Sequence, residues 1–220
     1  MPATKTIAII GATGSMGSAI AKSLSGSSNR VLLFARDIEK LTSLLEEIKE
    51  VHPNGDVEII GCPTDACWEA DIIIPAVPFG AENEVAEKIR TVATGKIVIS
   101  ISNPLNDAYN GLVTTPDTSA AEELQKLLPY SKVIKAFNTS FAASFTNPVI
   151  DGKIANVFIA GNDEESLETV SELVKISGFN PIIAGGLPVS RTLENMQLLL
   201  ISLGRKYNYN GLAGWKILHN

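Results

Sequence analysis

Residues 7–17, IAIIGATGSMG, limit what this chain can become more than any other stretch. Ile7, Ala8, Ile9 and Ile10 form a short apolar run suited to a strand buried on both faces, and a glycine follows at once. Residues 15–24 read as a helix. A strand, a glycine turn and a helix leave the first N–H groups of that helix unpaired and aimed at the turn, backed by the positive end of the helix dipole. That arrangement is an anion site. Gly11 permits a tight turn, Gly14 lets a pyrophosphate approach the backbone, and Gly17 lets helix and strand pack closely. The spacing is G-x-x-G-x-x-G, with the first glycine one place early relative to the usual G-x-G-x-x-G. A plain strand–helix turn fits the same residues.

The next apolar run, RVLLFA at 30–35, ends where an adenosine ribose lies in a dinucleotide fold. An NAD site carries Asp or Glu there, whereas this chain has Arg36, with Lys40 four positions on. The basic pair favours a 2′-phosphate and hence NADP. A charge-assisted bond from Arg to phosphate contributes roughly 1.5–3 kcal/mol, about a ten- to hundredfold preference. Asp37 reads as the N-cap of the following helix.

Strand and helix then alternate. A helix over 37–50 carries Ile38, Leu41, Leu44, Leu45 and Ile48 on one face, and strands are predicted at 57–61, 71–77, 96–102 and 132–137. A short helix or loop is expected at 64–70 and helices at 80–92 and 119–128, the last opened by the capping box of Ser119 and Glu122. This alternation predicts right-handed crossovers and an α/β fold, a doubly wound (Rossmann) parallel sheet that binds ligands beyond the carboxyl ends of its strands. Val77, Pro78 and Phe79 lie at one such end, and Asn138 and Thr139 at another. Phe79 reads either as a wall for a nicotinamide or as a cover for the sheet end. Residues 106–118 are irregular, and their length suits a functional loop or a disordered one.

The chain divides into a dinucleotide-binding domain, 1–145, and a small C-terminal α/β extension, 146–220. The extension carries strands at 156–161 and 180–184 and a helix capped by Asp163. In its final helix Val189, Leu193, Met196, Leu200 and Leu203 share one face, while 197–202 is apolar nearly all round, which predicts a homodimer through this helix. With 45% hydrophobic and 19% charged residues and a net charge of −6, no basic face offers itself to nucleic acid or an anionic membrane. No apolar run is long enough to span a bilayer and no signal peptide precedes the first strand, so a cytoplasmic protein is expected. Cys62 and Cys67 flank PTDA without a nearby histidine, so no metal site is expected.

Several segments together carry a resemblance: GATGSMG at 11–17, ARDIEK at 35–40, AVPF at 76–79, KIVISISNPL at 96–105, KAFNT at 135–139, IAGNDEE at 159–165, and AGGLPVSRTLE followed by GWKIL. In these the chain resembles, over nearly its full length, the family of NADP oxidoreductases that work with coenzyme F420, a deazaflavin. It is also similar to the NADPH-binding domain of the STEAP ferric reductases. The resemblance implies that Thr13, Ser15 and Met16 hold the pyrophosphate and that Arg36 and Lys40 hold the 2′-phosphate. It implies that Val77, Pro78 and Phe79 lie beside the nicotinamide, with Asn138 and Thr139 across a cleft where the second substrate sits between the two units. Two departures bear on this. Ala35 replaces a serine that would donate to the 2′-phosphate, and Phe79 and Ala81 stand where deazaflavin-reducing members carry Trp and His. The implied acceptor is therefore F420 or a flavin, FMN or FAD.

Hydride transfer between two stacked rings needs position more than acid–base chemistry. The strand ends offer Ser100, Ser102, Asn138 and Thr139 and no evident Lys, His or Tyr, so catalysis by positioning is expected, with no catalytic residue assigned. Two other classes compete. One is NADPH-dependent reduction of a small imine or carbonyl, which would want a proton donor near the nicotinamide. The other is a non-catalytic NADP-binding module that senses redox state.

Overall fold

The computed structural model describes residues 4–209 and 211–218. Its elements run β1 (Thr6–Ile10), α1 (Ser15–Leu24), β2 (Arg30–Phe34), α2 (Ile38–Val51), β3 (Val57–Ile59), α3 (Pro63–Glu69), β4 (Ile72–Pro75), α4 (Glu82–Ile89), β5 (Ile97–Ser100), α5 (Ala120–Leu127) and β6 (Lys132–Lys135). A two-strand hairpin, β7 (Val149–Ile150) and β8 (Lys153–Ile154), precedes β9 (Asn156–Gly161), α6 (Glu164–Ile176), β10 (Asn180–Gly185) and α7 (Ser190–Tyr207). Eight strands form one sheet in the order β10-β9-β6-β5-β4-β1-β2-β3. The six from β6 to β3 are parallel neighbours, the doubly wound order expected of alternating strands and helices.

Residues of each strand alternate between two apolar cores. Ile7, Ile9, Leu33, Ile72 and Ile74 face α1, α2 and α6, while Ala8, Ile10, Leu32, Ile73 and Val98 face α3, α4 and α5. The first core continues through Val157, Ile159, Val170 and Leu173, so residues on both sides of position 146 share one sheet and one core.

Three features depart from the periodicity. β9 pairs with β6 antiparallel, Ile134 opposite Gly161 and Lys135 opposite Ala160. A parallel neighbour needs a crossover, usually a helix, but between β6 and β9 the chain makes only a short 3-10 turn (Ala142–Phe145) and the hairpin. It therefore re-enters the sheet from the edge it left. The helix expected from residue 80 starts at Glu82 behind a 3-10 turn, Phe79–Ala81. Finally, Leu193 and Leu200 of α7 are buried and Val189 and Met196 pack inward as the spacing predicts, but Ser190, Glu194 and Gln197 are buried with them. Its buried Glu194 is matched by Lys135 on β6.

Residues 104–113 fold back on themselves: Leu105 bridges Leu112, and Val113 N–H donates to Pro104 O at 2.7 Å. Arg205 of α7 donates to Ala108 O at 3.0 Å and sits 4.7 Å from the Tyr109 ring centroid, tying that loop to the last helix. Among the described residues no helix is long and apolar enough to cross a membrane.

Candidate dinucleotide and acceptor site

β1 delivers the chain to Gly11, whose φ of +92° is a conformation few other residues adopt. Gly11 N–H and Ala12 N–H both donate to Phe34 O, at 2.8 and 3.0 Å, so the turn is fastened to the end of β2. A Cβ on Gly11 would collide with Ala76 O, and one on Gly17 with Gly11 O. These two glycines are thus required by the fold: one makes the turn, the other lets α1 lie against it. Gly14 differs. A Cβ there would stand in ordinary contact, 3.4 Å from Gly11 O, so what its absence does is leave the exposed side of the turn open. Gly14 is the N-cap of α1 and offers no side-chain cap. Among the described residues the N–H groups of Ser15, Met16 and Gly17 find no acceptor. An anion meets those requirements: three free N–H groups at a helix N-terminus with no side chain over them.

Arg36 follows β2 and is exposed, with no ion-pair partner among the described residues. Asp37 caps α2 as its sequence suggested, accepting from Lys40 N–H at 3.1 Å, and also pairs with the Lys40 ammonium at 3.2 Å. The pairing and the capping hold the Asp37 carboxyl below its usual range. Thr13, Ser18, Lys40 and Ser43 line a groove of about 430 Å³ between α1 and α2. Arg36 is not part of that lining, which also includes Lys22, Glu39 and Glu47.

Across the turn, Val77 Cγ1 comes within 3.0 Å of where a Gly11 Cβ would be, so the residues after β4 stand directly over the glycine turn. Pro78 is exposed and Phe79 half-buried. At the neighbouring strand ends Asn138 Nδ2 donates to Asn103 Oδ1 at 2.9 Å, and Asn103 Nδ2 donates to Asn138 O at 3.0 Å. This amide pair joins β5 to β6 beyond their last paired residues. Phe137 precedes it with φ of +61°, an uncommon conformation for an aromatic residue, held by its fully buried ring against Phe145 at 5.7 Å. The bend turns Asn138 and Thr139 out of the strand, and both are buried with Asn138 Oδ1 and Thr139 Oγ1 unpartnered. By strand order the sequence-selected positions therefore follow one another along a single edge: Arg36, the glycine turn, Val77–Phe79, then Asn138 and Thr139.

One group of residues had not been read from the sequence. Lys135 and Glu194 have side chains with no exposed surface and meet at 2.6 Å. Lys135 Nζ also donates to Ser102 O at 2.6 Å, and Glu194 Oε2 accepts from Ala120 N–H at 3.1 Å. Glu82 is buried beside them, its Oε1 without a partner. Loss of solvent pushes its carboxyl up to about 7, against the lowering influence of Ser102 and Lys135. The only hint in the sequence was Lys135 itself, a charge spaced two positions from Val133 in an interior strand. Elsewhere, Cys62 and Cys67 are free thiols, with burial pushing Cys67 up to about 12, and no group of three or more His, Cys, Asp or Glu among the described residues could hold a metal.

The strand order and the turn define a dinucleotide-binding protein of the doubly wound class. Residues 6–104 match the family model described as NADP oxidoreductase, coenzyme F420-dependent. The F420-dependent NADP reductase of Methanocaldococcus jannaschii is 34% identical over 216 residues, covering 93% of this chain and 95% of that protein. Metalloreductase STEAP3 of Rattus norvegicus is 28% identical over 89% of this chain but only 37% of its own length. The crystal structure of a putative F420-dependent NADP-reductase from Arthrobacter sp. FB24 superposes with a TM-score of 0.81 at 24% identity, covering 99% of this chain and all of that one. The chain belongs to the family of F420-dependent NADP oxidoreductases.

Proposed function

We propose that this protein moves hydride between NADPH and coenzyme F420 in the cytoplasm. The observation that carries the reading is the glycine turn at the N-terminus of α1, whose three N–H groups find no acceptor among the described residues, close to an exposed Arg36 that has no ion-pair partner among them. Thr13, Gly14, Ser15 and Met16 would receive the pyrophosphate, and Arg36 and Lys40 the 2′-phosphate, with Lys40 exchanging its contact to Asp37 for the ligand. Val77, Pro78 and Phe79 on one side and Asn138 and Thr139 on the other would hold the nicotinamide end. NADPH bound there supplies the hydride, and the acceptor takes it together with a proton.

The chain's contribution is to hold two rings face to face and to keep water away. Effective molarity is then the main source of rate, and no side chain need exchange a proton at the carbon that accepts hydride. In this reading the amide pair of Asn103 and Asn138, which ties the ends of β5 and β6 together, would line that space. FMN or FAD would be alternative acceptors in this reading, because Phe79 is smaller than the Trp that deazaflavin-reducing members carry there. Oxidation of NADPH followed at 340 nm with F420, FMN, FAD or a cyclic imine as acceptor tests the reading. Turnover with F420 is expected; turnover with the imine alone, or nucleotide binding without turnover on any acceptor, refutes it.

We further propose a homodimer through α7, where Leu199 and Tyr207 are exposed, as is Leu212 in the segment that follows. Light scattering that gives the monomer mass throughout the micromolar range would rule the dimer out.

A further inference from the structure

Lys135, Glu194 and Glu82 bring one cation and two carboxylates into the interior near the carboxyl ends of β4, β5 and β6, the first two with no exposed surface and Glu82 only 3% exposed. Lys135 is anchored at the strand end through Ser102 O, one residue before the Asn103 amide that pairs with Asn138. Glu194 is anchored to the start of α5 through Ala120 N–H. Glu82 follows Phe79 by three residues, at the start of α4. Ser102 Oγ is close enough to act on the Glu82 carboxyl, yet neither Ser102 Oγ nor Glu82 Oε1 closes a hydrogen bond of good geometry.

The charges acting on Glu82 are Lys135 from β6 and Glu194 from α7, while β5 contributes Ser102 and α5 only a backbone N–H. The next charges outward are paired with one another: Arg191 of α7 with Glu122 of α5, and Lys88 with Glu84 on α4 itself. Lys135 and Glu194 make a neutral pair. The state of Glu82 alone therefore decides whether the cluster carries zero charge or one negative charge. A buried ion pair is weak evidence of stabilisation, and buried carboxyls with perturbed titration gather at functional sites.

We infer that this cluster, through the proton on Glu82, sets the relative affinity of the site for the oxidised and the reduced dinucleotide. The inference rests on the nicotinamide end of NADP lying at these strand ends. An oxidised nicotinamide ring carries a positive charge and the reduced ring carries none. With Glu82 protonated the cluster is indifferent between them; with Glu82 ionised it attracts the oxidised ring. One charge roughly 10 Å away, about two strand spacings, at the effective dielectric of a protein interior changes a binding ratio roughly tenfold. Burial of Glu82 puts the change near pH 7. Glu82, Lys135 and Glu194 are positioning residues, since they act through the field at the ring rather than by touching it.

Calorimetric titration of NADPH, NADP⁺ and 2′,5′-ADP into the wild-type protein and Glu82→Gln, from pH 5.5 to 8.5, tests this. Titration of the 2′-phosphate affects NADPH and NADP⁺ alike and cancels in their ratio. In wild type the ratio Kd(NADPH)/Kd(NADP⁺) should rise roughly tenfold as pH passes 7, whereas in Glu82→Gln it should stay flat. Binding of 2′,5′-ADP, which lacks the nicotinamide, should match between the two proteins at each pH, showing that the variant's site is intact. A flat ratio in wild type, with all three ligands bound, overturns the role of the cluster and leaves the dinucleotide site standing. The same rise in both proteins assigns the effect to another group and overturns the role equally. Failure of wild type to bind any of the three overturns the proposed function and this inference together.

Discussion

Replacing Glu82 by glutamine should stabilise the protein at neutral and alkaline pH and leave it nearly unchanged in mild acid. The carboxyl is held up to about 7 in the folded protein by burial and would ionise near 4.5 in the unfolded chain. Between those values the folded protein keeps a proton that the unfolded chain has released. Stability from this group is therefore complete below about pH 4.5, falls as pH rises, and is lost above about pH 7. At about 1.36 kcal/mol per pKa unit the full loss is roughly 3 kcal/mol. Glutamine has nearly the same shape and cannot ionise, so the variant escapes the loss. For a chain of this size 1 kcal/mol moves Tm by about 2–4 °C, so Tm of Glu82→Gln should exceed wild type by roughly 6–12 °C at pH 8 and match it near pH 4.5. Glu122, lowered by Arg191, and Asp163, lowered mainly by Ser166, produce slopes of the opposite sign, but both proteins share them and they cancel in the difference. Scanning calorimetry at half-unit steps of pH would measure it. A difference in Tm that does not vary with pH, or a variant less stable than wild type at pH 8, would show that Glu82 is not a buried acid.

Arg36→Ala should weaken NADPH about ten- to a hundredfold while hardly affecting NADH, by fluorescence titration; equal losses for the two would remove Arg36 from the 2′-phosphate. Gly17→Ala should lower stability by about 1–3 kcal/mol in denaturant melts, because its Cβ meets backbone, Gly11 O and Ala12 Cα, rather than a side chain that can move. Lys135→Met should cost about 3–5 kcal/mol in the same assay by stranding buried Glu194, and adding Glu194→Leu should recover most of it; a double variant as unstable as the single one would contradict a paired buried charge. Asn138→Ala should reduce turnover modestly, and a drop beyond about a thousandfold would point to acid–base chemistry in place of positioning.

The first 140 residues were largely legible because local signals agreed with tertiary structure. Apolar runs became strands of the main sheet, and Asp37 and Ser119, like Asp163 further along, each cap the helix expected of them. The glycines at 11 and 17 were legible for the same reason, since backbone contact leaves no alternative residue type. What stayed hidden depends on distant pairing. Lys135 and Glu194 lie 59 residues apart, and beyond the position of Lys135 two residues after Val133 in an apolar strand, nothing local signals their burial. The apolar face of α7 was legible from its spacing, with Leu193 and Leu200 buried, but that Glu194 and Gln197 are buried with it was not, because a polar side chain reveals its burial only once its partner strand is known. The reversed direction of β9 was likewise hidden, because an apolar strand does not record which way it enters a sheet.

Phe137 belongs to two structures at once. Its ring fills space against Phe145, which in turn meets Phe179 at 5.0 Å, while its backbone makes the kink that carries Asn138. The interior and the rim of the cleft thus share one anchor. Thermal loosening among these three rings should blur the placement of Asn138 simultaneously, so the temperature at which turnover fades will follow the integrity of this aromatic contact rather than the melting of the outer strands.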